Sequence, residues 1–379
     1  MNLAQLKELD DKYILNTYKR YPLQVVRGEG VNVYDENGNK YLDFLGGIAV
    51  NALGYAHPAV LNAINNQAKE LIHISNLFYT QPQVDLAQKL CEISGMDKVF
   101  FSNSGAEANE LAIKLARLNS NKSGGKKNNF VCMKHSFHGR TMASLTVTKG
   151  VEYSEKFKPM LETPVFVEFN NCDALKSAVN EQTACIILEP IQGEGGINMA
   201  DKEFLVLARQ LADQHEALLV MDEVQSGLGR TGDYFAHQFS GIKPDVITVA
   251  KPIASGLPMG AVLMNEKAAS LFAYGYHGST FGCNCLASDV ALAFLKTIEI
   301  DNLLENVVNV GNYFIESLSN LKDKYSFIKS VRGKGCIVGL ELEKPMSDLH
   351  LKLISEGLIC NCTSDVVIRF LPPYIITKS

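Results

Sequence analysis

The sequence predicts an α/β protein built around a mostly parallel, seven-stranded sheet. The first observation is a set of seven apolar runs, at 98–102, 129–134, 164–169, 184–189, 217–222, 246–250 and 260–264. Six of them are too short and too continuously apolar for amphipathic helices and are typical of strands covered on both faces. The second observation is helical spacing of apolar residues between several runs, as in 105–119 and 203–216, which indicates crossover helices.

The connection at 251–259 supplies a third observation, because it is too short for a helical crossover. Parallel neighbours need a crossover of about a dozen residues or more, so we expect the strand at 260–264 to run antiparallel.

The segments on either side of the sheet have patterns of their own. Residues 22–45 have the pattern of a small β unit, with strands at 31–34 and 40–44 around a turn at 35–38. After residue 284 we expect a helical stretch at 286–323, strands at 335–342 and 366–370, and a short helix near 347–356. We therefore predict an N-terminal segment (1–45), a large domain (46–283) and a smaller α+β domain (284–379).

Composition excludes several classes of function. The 379 residues are 46% hydrophobic and carry a net charge of −5, which gives a large core and no electrostatic footprint for nucleic acid. We find no apolar run near the roughly 20 residues that cross a bilayer and no signal-peptide core in residues 1–12, so we expect a cytoplasmic protein without a membrane partner.

The nine cysteines are an odd number and lie mostly in apolar runs, as Cys132, Cys185 and Cys336 do. This placement favours small core residues over disulfide partners. Two Cys-x-Cys pairs, at 283/285 and 360/362, are spaced more tightly than usual zinc ligands, and we expect no metal site.

Two opposite charges end two of the predicted strands. Asp222 closes the run at 217–222, and Lys251 follows the run at 246–250, with Gln225 beside the first. A lysine amine can bond to the aldehyde of pyridoxal phosphate, and a carboxylate can keep its pyridine nitrogen protonated, so the pair suits that cofactor. On these two residues alone, a surface lysine and a helix-capping aspartate remain the favoured alternative.

Other side chains follow the same strands. Ser104 and Glu107 form a Ser-x-x-Glu pattern, which is either a plain capping box or a helix start whose Gly105 and Ala106 N–H groups bind phosphate. Phe137 could stack on a planar cofactor and Arg140 could hold a carboxylate, or they could be a core residue and a surface charge.

A glycine-rich turn follows the fourth run and carries Glu189 and Glu194. Either carboxylate could instead be a solvated surface charge.

Taken together, five motifs resemble the class III aminotransferases of pyridoxal phosphate fold type I. They are SGAEANE at 104–110, SFHGRT at 136–141, EPIQGE at 189–194, DEVQSG at 222–227 and AK at 250–251. The resemblance runs from about Tyr18 to the C-terminus. Because the five motifs occur in the family's order, a surface lysine and a helix-capping aspartate are no longer the favoured interpretation of Lys251 and Asp222.

The resemblance implies pyridoxal 5′-phosphate as cofactor and a homodimer with two shared active sites. Lys251 would carry the cofactor and shuttle a proton, and Asp222 would contact the pyridine nitrogen. The rest of the implied cofactor-binding set is Ser104, Gly105 and Ala106 with Thr280 of the partner at the phosphate, Phe137 and Val224 on the ring faces, Gln225 at the ring hydroxyl, and His138 and Glu189.

The implied substrate-binding set is Arg140, Glu194, Arg369 and Ser279. Arg140 would hold the α-carboxylate of the substrate. Glu194 and Arg369 would act as a switch pair that is joined when the amino donor is bound and parted when 2-oxoglutarate needs a second cation.

Within the class, residues 34–38, 45–54 and 369–373 are similar to the N-acetylornithine aminotransferases. Their reaction turns N2-acetylornithine and 2-oxoglutarate into N-acetylglutamate 5-semialdehyde and glutamate, in arginine biosynthesis. Ornithine, 4-aminobutyrate, succinylornithine and succinyl-diaminopimelate stay open as donors. Ornithine aminotransferases usually carry a tyrosine where this chain has Arg20, and that difference favours the acetylated donor.

Two further alternatives receive less support. A decarboxylase or aminomutase would have little use for the Glu194 and Arg369 pair. A dinucleotide-binding protein would need Gly-x-Gly-x-x-Gly between a strand and a helix, but the glycines at 333, 335 and 339 have the wrong last spacing. The chain also departs from the family where Cys283 and Cys285 replace the usual glycine and proline, and it stops at Ser379, where relatives continue into a final helix.

Overall fold

The computed structural model describes residues 1–122, 124–148, 154–161, 164–346 and 348–379. The strands, numbered along the chain, are Val25–Glu29 (β1), Asn32–Asp35 (β2), Lys40–Asp43 (β3), Lys98–Ser102 (β4), Asn129–Met133 (β5), Val165–Val167 (β6), Thr183–Leu188 (β7), Ile191–Gln192 (β8), Asn198–Met199 (β9), Leu218–Asp222 (β10), Val246–Val249 (β11), Gly260–Met264 (β12), Ile328–Lys334 (β13), Ile337–Leu342 (β14), Leu358–Ile359 (β15), Asn361–Thr363 (β16) and Val367–Phe370 (β17).

The helices are numbered in the same way. They are Leu3–Tyr13 (α1), Gly46–Ala49 (α2), Pro58–Glu70 (α3), Gln81–Ser94 (α4), Gly105–Lys122 (α5), Met142–Thr146 (α6), Cys172–Ala178 (α7), Lys202–Gln214 (α8), Glu266–Ala269 (α9), Cys285–Ile300 (α10), Leu303–Lys322 (α11) and Leu349–Ser355 (α12). None of those in the described parts of the chain combines the length and apolar character needed to cross a membrane.

The central sheet has seven strands in the order β4-β12-β11-β10-β7-β5-β6. Strand β10 is parallel to β7 and β11, and β5 is parallel to β6 and β7. Strand β12 is antiparallel to both of its neighbours, as its short connection predicts. Each of the seven apolar runs contains or overlaps one of these strands, so the predicted mostly parallel sheet is confirmed.

Helices cover both faces of this sheet because its strands are apolar on both sides. Helix α5 packs a stripe that includes Leu111 and Leu115 against one face, and α8 packs Phe204 and Leu205 against the other. Burial of these large side chains stabilises the layers by about 1.5–3 kcal/mol each. The carboxyl ends of β5, β7, β10 and β11 consequently meet at one edge.

A second antiparallel sheet, β13-β14-β17-β16, packs on α11 and α12 and gives the C-terminal part its predicted α+β character. The predicted helical stretch at 286–323 is two helices, because the chain breaks at Asn302, whose φ is 51°. Strands β13 and β16 were not predicted.

The N-terminal sheet has the order β1-β2-β3-β15. Strands β2 and β3 are the predicted pair, whereas β1 and β15 were missed. Strand β15 runs parallel to β3 and opposes Leu358 to Leu42, so backbone hydrogen bonds join the N-terminal segment to the C-terminal part of the chain. The division at residues 45 and 283 stays a prediction.

The nine cysteines are free thiols. Cys132, Cys185 and Cys336 are buried among apolar side chains, as their sequence context predicts.

Candidate active site

A cavity of about 400 Å³ opens at the carboxyl edge of the central sheet. Loops that follow five of its strands form the walls, since these loops leave the sheet on the same side. The predicted site residues that line the cavity are Ser104, Gly105, Ala106, Phe137, His138, Arg140, Glu189, Asp222, Val224, Gln225 and Lys251. The fold thus brings together side chains that are up to 147 positions apart in the sequence.

Lys251 stands directly after β11 and begins a single helical turn, Lys251–Ala254. Its φ is 38°, in the left-handed region that residues other than glycine rarely adopt. Burial of the amine lowers the pKa of Lys251 to about 8, and the charge of Arg369 acts in the same direction. A neutral amine near physiological pH is the form that attacks a carbonyl carbon.

Asp222, at the end of β10, is held by three hydrogen-bond donors. Its Oδ2 accepts from Nδ2 of Asn109 at 2.7 Å and lies 2.7 Å from Nδ1 of His138, and its Oδ1 accepts from the N–H of Val224 at 3.0 Å. Both oxygens of this carboxyl group are therefore engaged in hydrogen bonds. Asp222 is buried and lines the cavity.

Asn109 and Thr248 were not predicted as site residues. The hydroxyl of Thr248 on β11 donates to Oδ1 of Asn109 at 2.8 Å, which directs the amide nitrogen of Asn109 at Asp222. Asn109 lies on the buried stripe of α5 among alanines and leucines. A buried polar residue among apolar neighbours in the first half of this helix was the signal in the sequence that could have indicated this role.

The start of α5 forms the wall opposite Asp222. The hydroxyl of Ser104 accepts from the N–H of Glu107 at 3.2 Å. The Glu107 carboxylate accepts from Asn103 rather than from the backbone of Ser104, so only one half of the capping box forms. Gly105 and Ala106 are the first helical residues, and their N–H groups have no acceptor within the helix. These donors and the helix dipole suit an anion.

Gly105 is needed because the chain passes close to the next loop. A Cβ atom at this position would lie 2.6 Å from a methyl group of Val224. Any larger residue would push Val224 into the cavity.

The loop after β5 supplies Phe137 and Arg140. The N–H of Phe137 donates to Glu189 at 3.0 Å, and the guanidinium of Arg140 lies 4.9 Å from the centre of the Phe137 ring. Burial and the nearby charge of Asp222 raise the pKa of Glu189 well above its usual range. An aromatic ring, an exposed cation and a carboxyl group with a raised pKa therefore share this wall.

Glu194 and Arg369 form an ion pair with 2.5 Å between Oε1 and the nearest guanidinium nitrogen. Arg369 is only 1% exposed. Although burial works in the opposite direction, the charges of Arg369 and Lys251 hold the pKa of Glu194 below its usual value. Gln225, which lines the cavity, accepts from Arg369 at 3.2 Å and donates to Glu194 at 3.3 Å. The amide of Gln225 thus ties this pair to the cavity wall.

Comparison with known proteins identifies the family. The family model described as "Aminotransferase class-III" matches residues 13–379. The chain belongs to the class-III aminotransferases.

Relatives of this class-III aminotransferase include the acetylornithine aminotransferase of Methanocaldococcus jannaschii, which is 48% identical over 98% of the chain and 94% of the relative. An ornithine aminotransferase from Toxoplasma gondii, described as having partial occupancy of PLP at its active site, superimposes with a TM-score of 0.95 at 30% identity, over 100% and 91% of the two chains. An acetylornithine aminotransferase from Elizabethkingia anophelis superimposes with a TM-score of 0.87 at 32% identity, over 100% of this chain and 95% of the other.

Four predicted site residues of the class-III aminotransferase lie outside the cavity lining. Glu194 and Arg369 are joined to the lining through Gln225, and the other two are Thr280 and Ser279. Thr280 is exposed, and Ser279 accepts from the Asn103 side chain at 3.2 Å at the cavity edge. Thr280 is not among the residues that line the cavity of its own chain. Its predicted position in a partner's site stays a prediction.

Proposed function

We propose that this class-III aminotransferase transfers the δ-amino group of N2-acetylornithine to 2-oxoglutarate with pyridoxal phosphate as cofactor, as a step of arginine biosynthesis. The observation that carries the proposal is the placement of the Lys251 amine and the Asp222 carboxylate in one cavity, beside the buried Glu194–Arg369 pair. Relatives that are 42–48% identical are named acetylornithine aminotransferases, which supports the choice of acetylornithine.

The residues present fit pyridoxal phosphate. The unpaired N–H groups at the start of α5 suit its phosphate, and Phe137 and Val224 supply apolar surfaces for its ring. His138 supports the fit, because its buried Nε2 has no partner in the described part of the chain and lies at the same cavity. When bound, this cofactor supplies an aldehyde that takes up an amino group and a ring that withdraws electrons.

The chain's own side chains supply the rest of the chemistry. The amine of Lys251, with a pKa of about 8, can accept and return a proton at Nζ near neutral pH. Asp222 would contact the pyridine nitrogen of the cofactor, and Asn109 and His138 hold its carboxyl group in place. Arg140 lines the cavity and would bind the α-carboxylate of either substrate.

The Glu194–Arg369 pair explains how one cavity would take two differently charged substrates. Acetylornithine carries one carboxylate and 2-oxoglutarate carries two, so a second cation is useful only for the latter. With Glu194 paired, Arg369 is neutralised and tolerates the longer donor, and with the pair parted, Arg369 is free to bind the second carboxylate.

Arg20 is consistent with an acetylated donor. Arg20 stands where ornithine aminotransferases usually have a tyrosine. Its Nε forms a surface ion pair with Asp10 of α1 at 2.9 Å. No aromatic hydroxyl from this position therefore reaches a free α-amino group.

The test is a donor comparison with the purified holoenzyme. We expect kcat/KM for acetylornithine to exceed that for ornithine, 4-aminobutyrate, succinylornithine and succinyl-diaminopimelate, measured as glutamate formed from 2-oxoglutarate. Lys251→Ala serves as the inactive control. A higher kcat/KM for any of the other four donors would overturn the acetylornithine assignment.

We also propose a homodimer in which Thr280 reaches the partner's cavity. An exposed apolar segment at residues 71–79 includes Leu77, Phe78 and Tyr79. The side chain of Asn76 attaches this segment to the loop that carries Thr280, by hydrogen bonds of 2.9 and 3.1 Å to the carbonyls of Ser279 and Gly282. An apolar surface of this kind beside a site is typical of an interface between chains.

A further inference from the structure

Strand β16 is an edge strand of the small sheet that contacts the Arg369 side of the ion pair. Asn361 lies directly opposite Arg369 in the antiparallel register of β16 and β17. Its Oδ1 accepts from Nε of Arg369 at 3.1 Å. Because Nε is next to the aliphatic stem, this bond fixes the plane of the guanidinium and leaves its two terminal nitrogens for other acceptors.

The same strand also contacts the Glu194 side of the pair. The hydroxyl of Thr363 donates to the backbone carbonyl of Glu194 at 2.5 Å, and that of Ser364 donates to the same oxygen at 3.2 Å. Asn361 and Thr363 are two positions apart and therefore point to the same face of β16. Cys362, between them, packs on the apolar cluster of the small domain.

We propose that Asn361 and Thr363 are positioning residues that set the balance between the two substrates through the Glu194–Arg369 pair. The inference rests on the proposed function, since it assigns this role to a pair that parts and joins. Neither side chain lines the cavity. Gln225 does, and it bonds to both Arg369 and Glu194, so we expect an effect on substrate to pass through this pair.

The two residues act on opposite members of the pair. When Glu194 withdraws, Asn361 keeps the guanidinium of Arg369 in place for the incoming carboxylate, which lowers the entropy lost on binding. Thr363 holds the backbone of Glu194 and so favours the joined state. Loss of Asn361 therefore weakens dicarboxylate binding, whereas loss of Thr363 frees Arg369 and weakens use of the donor.

The test compares Asn361→Leu and Thr363→Val in the holoenzyme. Single-turnover kinetics with acetylornithine and with glutamate give KM and kcat for each half-reaction, and calorimetry with glutarate, an unreactive dicarboxylate, gives a dissociation constant. For Asn361→Leu we expect the glutarate Kd and the glutamate KM to rise about tenfold, with the acetylornithine KM and both kcat values within about twofold. For Thr363→Val we expect the ratio of glutamate use to acetylornithine use to rise about threefold.

Matched controls separate positioning from stability. Thr363→Ser keeps the hydroxyl and should restore the wild-type ratio, and Cys362→Ala changes the opposite face of the same strand and should leave the ratio unchanged. Equal shifts for both substrates in Asn361→Leu would make Asn361 a structural residue and overturn the proposal.

Arg369→Ala distinguishes a failure of this inference from a failure of the proposed switch. If Arg369→Ala weakens glutarate binding but Asn361→Leu does not, only the role of Asn361 is wrong. If Arg369→Ala leaves glutarate binding unchanged, the switch and the role of β16 are both wrong.

Discussion

At the scale of single residues, the amine of Lys251 has the clearest expected signature. With a pKa of about 8, roughly a tenth of these amines are neutral at pH 7, against fewer than one in a thousand for an ordinary lysine. Covalent attachment of pyridoxal phosphate to the apoprotein needs the neutral amine. We therefore expect its rate to rise about tenfold between pH 7 and pH 9 and then to level off.

Stopped-flow absorbance measures this rate, and borohydride reduction with peptide mapping locates the label. A label on another lysine, or a rate that keeps rising steeply above pH 10, would contradict the assignment of Lys251.

The carboxylate of Asp222 gives a second prediction at this scale. We expect Asp222→Asn to keep the cofactor bound but to lower kcat by about 100-fold or more, because a neutral amide cannot hold the ring nitrogen protonated. Asn109→Leu removes one of the donors to Asp222 and should lower kcat about tenfold.

Asn119→Leu is the matched control for Asn109→Leu. Asn119 is also buried on α5, but its amide donates to the carbonyl of Glu216, away from the cavity. The Asn119→Leu variant should have a lower free energy of unfolding but an unchanged kcat. An equal kcat for the two leucine variants would show that Asn109 only supports the fold.

At the scale of secondary-structure elements, Arg230 joins segments that are distant in sequence. Its guanidinium is fully buried and donates to the carbonyls of Cys336, Pro372 and Ala49, while it lies 4.5 Å from the ring centre of Tyr374. One side chain thus holds together the loop after β10, the end of α2, the β13–β14 turn and the segment after β17.

We expect Arg230→Met to lower the free energy of unfolding by roughly 2–5 kcal/mol, because it leaves several buried carbonyls without donors. Arg230→Lys should recover little of this, since a single ammonium cannot span the same acceptors. Urea unfolding measures the effect. The control is Arg27→Met, which breaks an exposed ion pair with Glu29 and should leave the free energy of unfolding at the wild-type value. If Arg230→Met lowered that free energy no more than Arg27→Met does, the role of Arg230 would be contradicted.

The strands that sequence predicted and those it missed differ in burial. Strands β7 and β10 are buried at every position, so their apolar runs stand out from the flanking residues. Strand β1 is mostly exposed and β13 is half-buried, which leaves no continuous apolar run, and β15 and β16 are too short for any periodicity.

The candidate site shows the same limit. The positions of Lys251 and Asp222 at the ends of apolar strands are visible in the sequence, but their roles were predicted only from the order of the five motifs, and these roles stay predictions. Asn361 and Thr363 were not predicted, because their role depends on a cross-strand register that local sequence does not encode.

At the scale of the whole molecule, self-association is the main expectation. We expect the protein to sediment as a dimer. The double variant Leu77→Asp with Phe78→Asp should shift toward monomer, because two charges would have to be buried in the interface. It should also bind pyridoxal phosphate more weakly. Tyr325→Asp, which also places a charge at an exposed aromatic position, should stay dimeric. A monomeric wild type at micromolar concentration would exclude the shared site.

The pairing of β3 with β15 also bears on how the chain is synthesised. A ribosome releases residues 40–43 more than 300 residues before it makes residues 358–359, so the N-terminal sheet stays one strand short during most of translation. The unpaired edge of β3 is a template for strands of other nascent chains. Newly made protein therefore depends on a late, long-range closure, and chains interrupted before residue 358 should be the ones that chaperones and proteases capture.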